Sequence, residues 1–245
     1  MRVVITGATS GLGREMAVQL GRRGWRVAVT GRRREQLDET ARQVAAAGGE
    51  ALALQGSVTD IEAVKAHYAE VRRRWGGLDW LILNAGVGDQ VDARKMSAEN
   101  YRWTYEINVF GAVNWMEAAL PGMLEQKSGV IAGIGSLAGF RGLPKSGSYS
   151  SSKAALYTLL ESSRVDLHGT GVDVVTVCPG FVKSEMTDRN PPGSMPFLMS
   201  TEAGAAAVIR GIERRRRIVH FPWPLSFATK YLLARLPGFL YDPLA

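Results

Sequence analysis

Apolar residues along this chain follow two alternating rhythms. Short, β-branched runs at 3–6, 27–30, 51–55, 80–83, 129–134 and 172–178 are separated by stretches in which apolar residues return every three or four positions. Leu12, Met16 and Leu20 recur at intervals of four; Leu37, Ala41 and Val44 follow at four and three. Val64, Tyr68, Val71 and Trp75 repeat at four, three and four. The second spacing lines one face of a helix, and a short β-branched run makes a strand. Strand then helix, repeated, predicts a parallel sheet with helices on both faces, because each parallel connection must cross over the sheet. Several runs are apolar nearly throughout, as strands covered on both sides are. With no internal repeat, low-complexity tract or linker, the pattern predicts a single α/β domain over 1–245. Its fold class is the Rossmann type, a doubly wound parallel sheet of about seven strands.

Two stretches break the rhythm. Residues 185–200 carry Pro191, Pro192, Gly193 and Pro196 among Met186, Met195, Phe197, Leu198 and Met199. That is too long and too proline-rich for an ordinary connection, and it reads as a substrate lid. Residues 221–245 form an apolar tail in which Leu225, Phe227, Ala228, Leu232, Leu233 and Leu236 could share a helix face. Pro222, Pro224, Pro237, Lys230 and Arg235 interrupt it, whereas a membrane span needs about 20 unbroken apolar residues. The opening Arg2-Val3-Val4-Ile5-Thr6 stops at Gly7 and lacks the long apolar stretch of a signal peptide, so a soluble cytoplasmic protein is expected.

Charge narrows the partners without choosing one. Lys and Arg number 30 against 23 Asp and Glu, a net charge of +7. Such an excess suits nucleic acid, an anionic membrane surface or an anionic cofactor. No nucleic-acid motif accompanies it, so nucleic acid is set aside as a partner. Arg72, Arg73 and Arg74 read as a solvated helix face. The arginines at 214–217 read as a solvated turn, with an anionic membrane as the less favoured alternative. For the tail, packing on the lid or on a second subunit is favoured over membrane contact. Cys178 is the one cysteine, and it reads as a packed small residue. His67, His168 and His220 have no ligand spacing, so no metal is expected.

The glycines speak to phosphate. Gly7, Gly11 and Gly13 follow the first strand directly, in a turn with Thr9, Ser10 and Leu12, and the helical pattern begins at Leu12. Glycine lets the backbone turn sharply and approach a ligand, and the free amides at a helix start suit a pyrophosphate. At the end of the second strand an NAD enzyme usually offers an acid to the ribose, and an NADP enzyme an arginine. Here Gly31 stands where the acid would be, followed by Arg32, Arg33 and Arg34. A guanidinium pairs with a 2′-phosphate that a carboxylate would repel. NADP(H) is therefore expected over NAD(H), with Arg32 as the main contact, Arg33 as a second and Arg34 left to solvent.

A second constellation carries acid–base chemistry. Tyr149 and Lys153 lie four apart at the start of a helical stretch, one turn above the other. Ser136 ends the run at 129–134, so at the carboxyl edge of the sheet it would look into the same crevice as the glycine turn. A free tyrosine, with a pKa of about 10, is a weak base near neutrality. A neighbouring ammonium and an oxidised nicotinamide would both lower it.

Taken in order, Gly7/Gly11/Gly13, Asn84-Ala85-Gly86, Asn108, Ser136, Tyr149/Lys153 and Pro179-Gly180 resemble the short-chain dehydrogenase/reductase family over residues 2 to about 187. The resemblance implies that Tyr149 is the general acid or base and that Ser136 holds the substrate oxygen. It implies that Lys153 holds the nicotinamide ribose and that Asn108 positions a relaying water. Asn84, Ala85 and Gly86 would line the adenosine side, with Pro179, Gly180 and Val182 bordering the nicotinamide. Three positions depart from the family: Ser57-Val58 replaces Asp-Val, Ser184 replaces a threonine at the carboxamide, and Ser10 replaces a frequent basic residue. Leu137, Phe140, Leu143, Pro144, Met186, Met195 and Phe197 would form an apolar substrate wall. The expected function is NADP(H)-dependent interconversion of a hydrophobic ketone or aldehyde and its alcohol. The alternative is a non-catalytic nucleotide-sensing or membrane-associated scaffold on the same fold. The resemblance also implies a homodimer or homotetramer.

Overall fold

The computed structural model describes residues 1–191 and 193–243. Its strands are β1 (Arg2–Ile5), β2 (Arg26–Gly31), β3 (Glu50–Gln55), β4 (Trp80–Leu83), β5 (Gly129–Ile134), β6 (Val172–Pro179) and β7 (Ile218–Phe221). They form one parallel sheet in the order β3-β2-β1-β4-β5-β6-β7. The main helices are α1 (Gly11–Gly21), α2 (Arg34–Ala46), α3 (Ile61–Trp75), α4 (Ala98–Tyr105), α5 (Gly111–Gln126), α6 (Gly147–Asp166) and α7 (Thr201–Glu213).

Alternate strand residues feed two cores, as the two-residue period of a strand requires. Val3, Ile5, Val27 and Val29 meet Met16, Leu20, Leu37 and Ile212 on the face covered by α1, α2 and α7. Val4, Ala28, Leu81 and Ile131 meet Val71, Trp115, Met123 and Leu160 on the face covered by α3, α5 and α6. The six apolar runs became β1 to β6. β7 was not among them: it has four residues, follows four arginines and is interrupted by His220, so its apolar content does not stand out. It is an edge strand whose place is set by pairing with Thr176 to Pro179.

Helix starts differ in a way that matters for binding. Asp60 caps α3, Ser97 caps α4 and Ser200 caps α7, each accepting a first-turn amide. At α1 the flanking Ser10 gives no such bond, and the first turn holds no acid. Its amides are left for another acceptor. α4 runs into α5 through a π-helical turn, Glu106–Phe110, which carries Asn108. Strand order reverses between β1 and β4, which opens a crevice at their carboxyl ends.

The lid and the tail follow β6 and β7 at that same edge. The lid is irregular apart from a short turn at Thr187–Arg189, and Met199 returns to pair with Val182. Pro192 lies outside the described residues. The tail is helical without a break over 223–235, through α8 (Trp223–Phe227), a π-helical turn (Ala228–Leu232) and a 3-10 turn (Leu233–Arg235), as the spacing of Leu225, Phe227, Ala228, Leu232 and Leu233 allowed; α9 (Gly238–Tyr241) follows after Pro237. Leu244 and Ala245 lie outside the described residues. Arg141 ties the tail down, donating to the carbonyls of Ala234 and Leu236, while the Tyr241 hydroxyl donates to Gly142 at 2.6 Å. Among the described residues no helix is long and apolar enough to cross a membrane.

Candidate active site

The glycine turn is built against the turn after β4. Gly7 and Gly11 have positive φ, +65° and +52°, where a side chain is strained. A Cβ on Gly7 would lie 2.7 Å from the Ala85 backbone, and one on Gly13 would lie 2.5 Å from the Gly7 carbonyl. Asn84 locks the two turns together, its Nδ2 donating to the Thr6 and Gly7 carbonyls at 2.9 and 3.0 Å. Thr6 Oγ1 accepts from the amides of Asn84 and Ala85, each at 2.9 Å. The amides of Thr9, Ser10, Gly11, Leu12 and Gly13 make no backbone hydrogen bond among the described residues. Beside them lies a cavity of about 380 Å³ whose walls include Ser10, Gly11, Arg14, Lys183, Ser184 and Glu185. Free amides at a helix start, with no side chain in the way, fit a pyrophosphate.

Of the two arginines after β2, one rests on the glycine turn. Arg33, not Arg32, reaches the glycine turn: its Nη2 donates to Thr9 Oγ1 at 3.0 Å and to Ser10 Oγ at 2.9 Å. Its Nη1 pairs with Glu185 of the lid at 3.0 Å. The Arg32 guanidinium is exposed and makes no hydrogen bond or ion pair among the described residues; only its carbonyl is used, by Gln55. The reason is local geometry: Arg33 is the extended residue just before α2, next to the turn, while Arg32 projects away from it. The Arg33 guanidinium, from the junction between β2 and α2, thus sits on the hydroxyl of Ser10, the position where the family often has a basic residue. At Gly31 an added Cβ would run into Thr9 Cγ2, so an acid there is excluded sterically as well as by sequence. Arg34 pairs with Asp38 on the surface, as a solvated residue should.

At the carboxyl edge of β5, Ser136, Tyr149 and Lys153 converge. Ser136 caps the turn that follows it, accepting from the Ala138 amide at 3.1 Å, and its hydroxyl is near enough to Tyr149 to oppose the rise of that pKa. Lys153 is 4% exposed and donates from Nζ to the Ile134 carbonyl at 2.7 Å. Burial pushes its pKa down from 10.5 to about 8. The Tyr149 pKa moves up, because burial outweighs the Ser136 hydroxyl. The Lys153 ammonium lies 5.7 Å from the ring centroid and gives one of its three N–H groups to Ile134. Tyr149 thus carries its proton near neutrality.

Asn108 sits where the π turn leaves it, fully buried. Its Oδ1 accepts from the Val87 amide at 2.7 Å, and its Nδ2 donates to the Val87 carbonyl at 2.8 Å and Ser152 Oγ at 2.9 Å. Gly86 separates it from Lys153: a Cβ there would lie 3.2 Å from Nζ and 3.4 Å from Oδ1. On the nicotinamide side, Gly180 is packed by Leu137, Pro222 and Leu225. The Val182 amide has no backbone partner among the described residues, while its carbonyl accepts from Thr187 Oγ1 at 3.1 Å. Ser184 lies against Gly11, so the lid begins directly over the glycine turn.

Other expected residues stand apart. Ser57 turns its hydroxyl to Thr59 at 2.8 Å, and Val58 packs into the start of α5, where a Cβ on Gly111 would strike it. The apolar wall is open. Leu137 is buried and Phe140 stacks edge-on with Tyr157, but Leu143, Pro144, Met186 and Phe197 are exposed. Met195 is half-buried, its sulfur accepting from Asn190. Cys178 is 1% exposed, with burial pushing its thiol up to about 12, which suits a packing role. Sequence reasoning missed Glu185 and Gly88. A Cβ on Gly88 would lie 2.5 Å from Tyr149 Cδ2, so this glycine is the floor under the tyrosine ring. Its proximity to Asn84-Ala85-Gly86 was the available signal.

Residues 1–194 match the family model described as short chain dehydrogenase. An uncharacterized oxidoreductase of Myxococcus xanthus is 43% identical over 242 residues, covering 99% of this chain and 95% of that protein. A 3-oxoacyl-[acyl-carrier-protein] reductase, FabG, of Staphylococcus aureus is 34% identical over 186 residues, 76% of each chain. Among solved structures, a short-chain type dehydrogenase/reductase from Mycobacterium marinum aligns with a TM-score of 0.76 at 27% identity, covering 84% of this chain and 85% of that one. One from Burkholderia phymatum, in complex with NAD, aligns with a TM-score of 0.86 at 24% identity over 99% of this chain and 94% of that one.

Proposed function

The chain belongs to the short-chain dehydrogenase/reductase family of oxidoreductases, and from that premise we propose that it is an NADP(H)-dependent reductase of apolar ketones or aldehydes. The observation that carries this reading is the meeting of Tyr149 with the buried Lys153, whose ammonium lies 5.7 Å from the tyrosine ring centroid, at the edge where the glycine-turn amides stand free. When bound, a reduced nicotinamide supplies the hydride.

The chain's own residues supply orientation and a proton. Ser136 presents a hydroxyl to the substrate oxygen and stabilises the charge that develops there. Tyr149 gives that oxygen its proton, a role that its raised pKa favours over service as a base. Lys153, with a pKa near 8, is an ammonium able to release a proton close to neutrality and so to restore Tyr149. Asn108 fixes the turn at Val87 that roofs this pair. The preference for a 2′-phosphate is supported by Arg33 on the glycine turn and by the closed space at Gly31. The exposed Met186, Phe197 and Leu143 around the mouth favour an apolar substrate.

The test is oxidation of NADPH with a panel of hydrophobic ketones, comparing the wild type with Tyr149→Phe. Turnover in the wild type, with a loss of about a hundredfold or more in the variant and cofactor binding intact, is expected. Cofactor binding without turnover on every ketone would assign the scaffold role instead.

A further inference from the structure

The segments that follow β5, β6 and β7 all lie at the edge of the sheet that holds Tyr149. The tail over 222–241 contains Lys230 and Arg235 and no Asp or Glu, and 140–147 adds Arg141 and Lys145; the lid is mixed, with Glu185 and Asp188 beside Lys183 and Arg189, the last paired with Asp89. The cationic patch is local to the tail and to 140–147. The four arginines at 214–217 are not part of it. They precede β7 and stand at the opposite edge of the sheet, where Arg215 pairs with Asp173.

The tail adds apolar surface to that charge. Trp223, Phe227 and Tyr231 recur every four residues and stack in a row, with ring centroids 5.6 and 5.4 Å apart. Trp223 is 69% exposed, and Phe239 is 77% exposed on the last helical turn. Scattered exposed apolar residues are ordinary, but a contiguous aromatic row is not. Lys230 and Arg235 flank it, 5.1 and 5.9 Å from the Tyr231 ring. Aromatic rings with lysine and arginine beside them are the composition that settles at the headgroup level of a bilayer.

We propose that the tail 222–241 is a docking surface for an anionic lipid bilayer. Trp223, Phe227 and Phe239 enter the interface, and Arg235 meets the headgroups, while the half-buried Lys230 lies between the Tyr231 and Phe140 rings. Charge argues against a second copy of this chain as the occupant. A two-fold interface sets the same patch against itself, and here that would oppose Lys145 and Arg235 with their own copies, with Asp242 as the single acid of residues 221–245. Docking at this face would hold the mouth of the Tyr149 site against the membrane. What it would deliver, an apolar carbonyl compound dissolved in lipid, rests on the reductase reading above; the docking itself does not.

The experiment is sedimentation of the full chain with two vesicle preparations, one of phosphatidylcholine alone and one containing about 30 mol% phosphatidylglycerol. Partitioning about tenfold or more stronger onto the anionic vesicles is expected, weakening as salt is added. Replacing the apolar contacts together (Trp223→Ser, Phe227→Ser, Phe239→Ser) should cost about tenfold or more. The pair Lys145→Glu and Arg235→Glu leaves the aromatic row in place, and should abolish the difference between the two vesicles even if the apolar variant misfolds. Equal or absent binding to both vesicles would overturn the proposal. So would a dimer that dissociates in the apolar variant, since a second copy would then own the face. Vesicle binding without ketone reduction would retire only the reductase reading, and reduction without vesicle binding only the docking.

Discussion

Replacing Lys153 by methionine should stabilise the protein while disabling it. The wild-type ammonium is held in a site that pushes its pKa from 10.5 to about 8, through loss of solvation. At about 1.36 kcal/mol per unit, keeping it charged near neutrality costs the fold about 3 kcal/mol. Methionine fills a similar volume without charge, but it leaves the Ile134 carbonyl without the 2.7 Å hydrogen bond it now accepts, a loss of about 1–2 kcal/mol. The balance is a gain of about 1–2 kcal/mol at neutral pH. The sign of the pH dependence follows from the direction of the shift. Between about 8 and 10.5 the unfolded chain still binds the proton that the folded chain has released, so wild-type stability rises through that window. The variant has no such rise. Tyr149 and Cys178, both shifted upward, act in the opposite sense in both proteins; the Lys153 ammonium partly holds the Cys178 thiol down, so its loss leaves that opposing slope no smaller in the variant, and the difference between the proteins keeps its sign. Urea unfolding at about pH 7 and about pH 10, on both chains, measures the difference of differences. A variant less stable than the wild type at neutral pH, or one with the same pH dependence, would refute the burial account of Lys153.

Arg33→Ala should weaken NADPH binding about tenfold or more and leave NADH binding unchanged, read by quenching of tryptophan fluorescence; equal losses for the two would show that the guanidinium meets no 2′-phosphate. Glu185→Gln should tighten NADPH up to about fivefold, because the exposed Arg33–Glu185 pair must open before the arginine can serve a phosphate. Gly88→Ala should cut kcat by about tenfold or more with NADPH affinity intact, since its Cβ would press on the Tyr149 ring at 2.5 Å; an unchanged kcat would mean that the ring can move without cost.

The doubly wound sheet was legible because its signal is distributed. Each of the first six strands is a run of β-branched or apolar residues, and each intervening helix repeats its apolar residues on one face, so no single position decides the fold. β7 and the tail were less legible for the same reason in reverse. Four residues beside an arginine run carry little pattern, and the tail's helical stretch over 223–235 opens on Pro222 and Pro224 and stops before Pro237, with its end placed by contacts with Arg141 and Gly142. In the site, sequence order found Ser136, Tyr149, Lys153 and Asn108, because spacing on a known element fixes which face a residue takes. It could not rank Arg32 against Arg33, which differ by one position and therefore by which side of an extended backbone each occupies.

Electrostatics was the part that composition hid most. The Tyr149–Lys153 spacing suggests a tyrosine held as phenolate by its neighbour. Burial reverses this in the cofactor-free chain, because it penalises both charged forms at once: the phenolate is disfavoured and so is the ammonium. The two values therefore separate, with Lys153 down at about 8 and Tyr149 above its ordinary 10, so the ammonium is the stronger acid of the pair and proton transfer from it to a tyrosinate runs downhill. A bare Tyr-x-x-x-Lys on an exposed helix would keep pKa values near 10 and 10.5 and would move no proton at neutral pH. The four-residue spacing provides the meeting, but the burial provided by β5, Gly86 and Gly88 makes the pair an acid with a proton supply. Substitutions that open this pocket to water should therefore return Lys153 toward its ordinary range without touching either functional side chain.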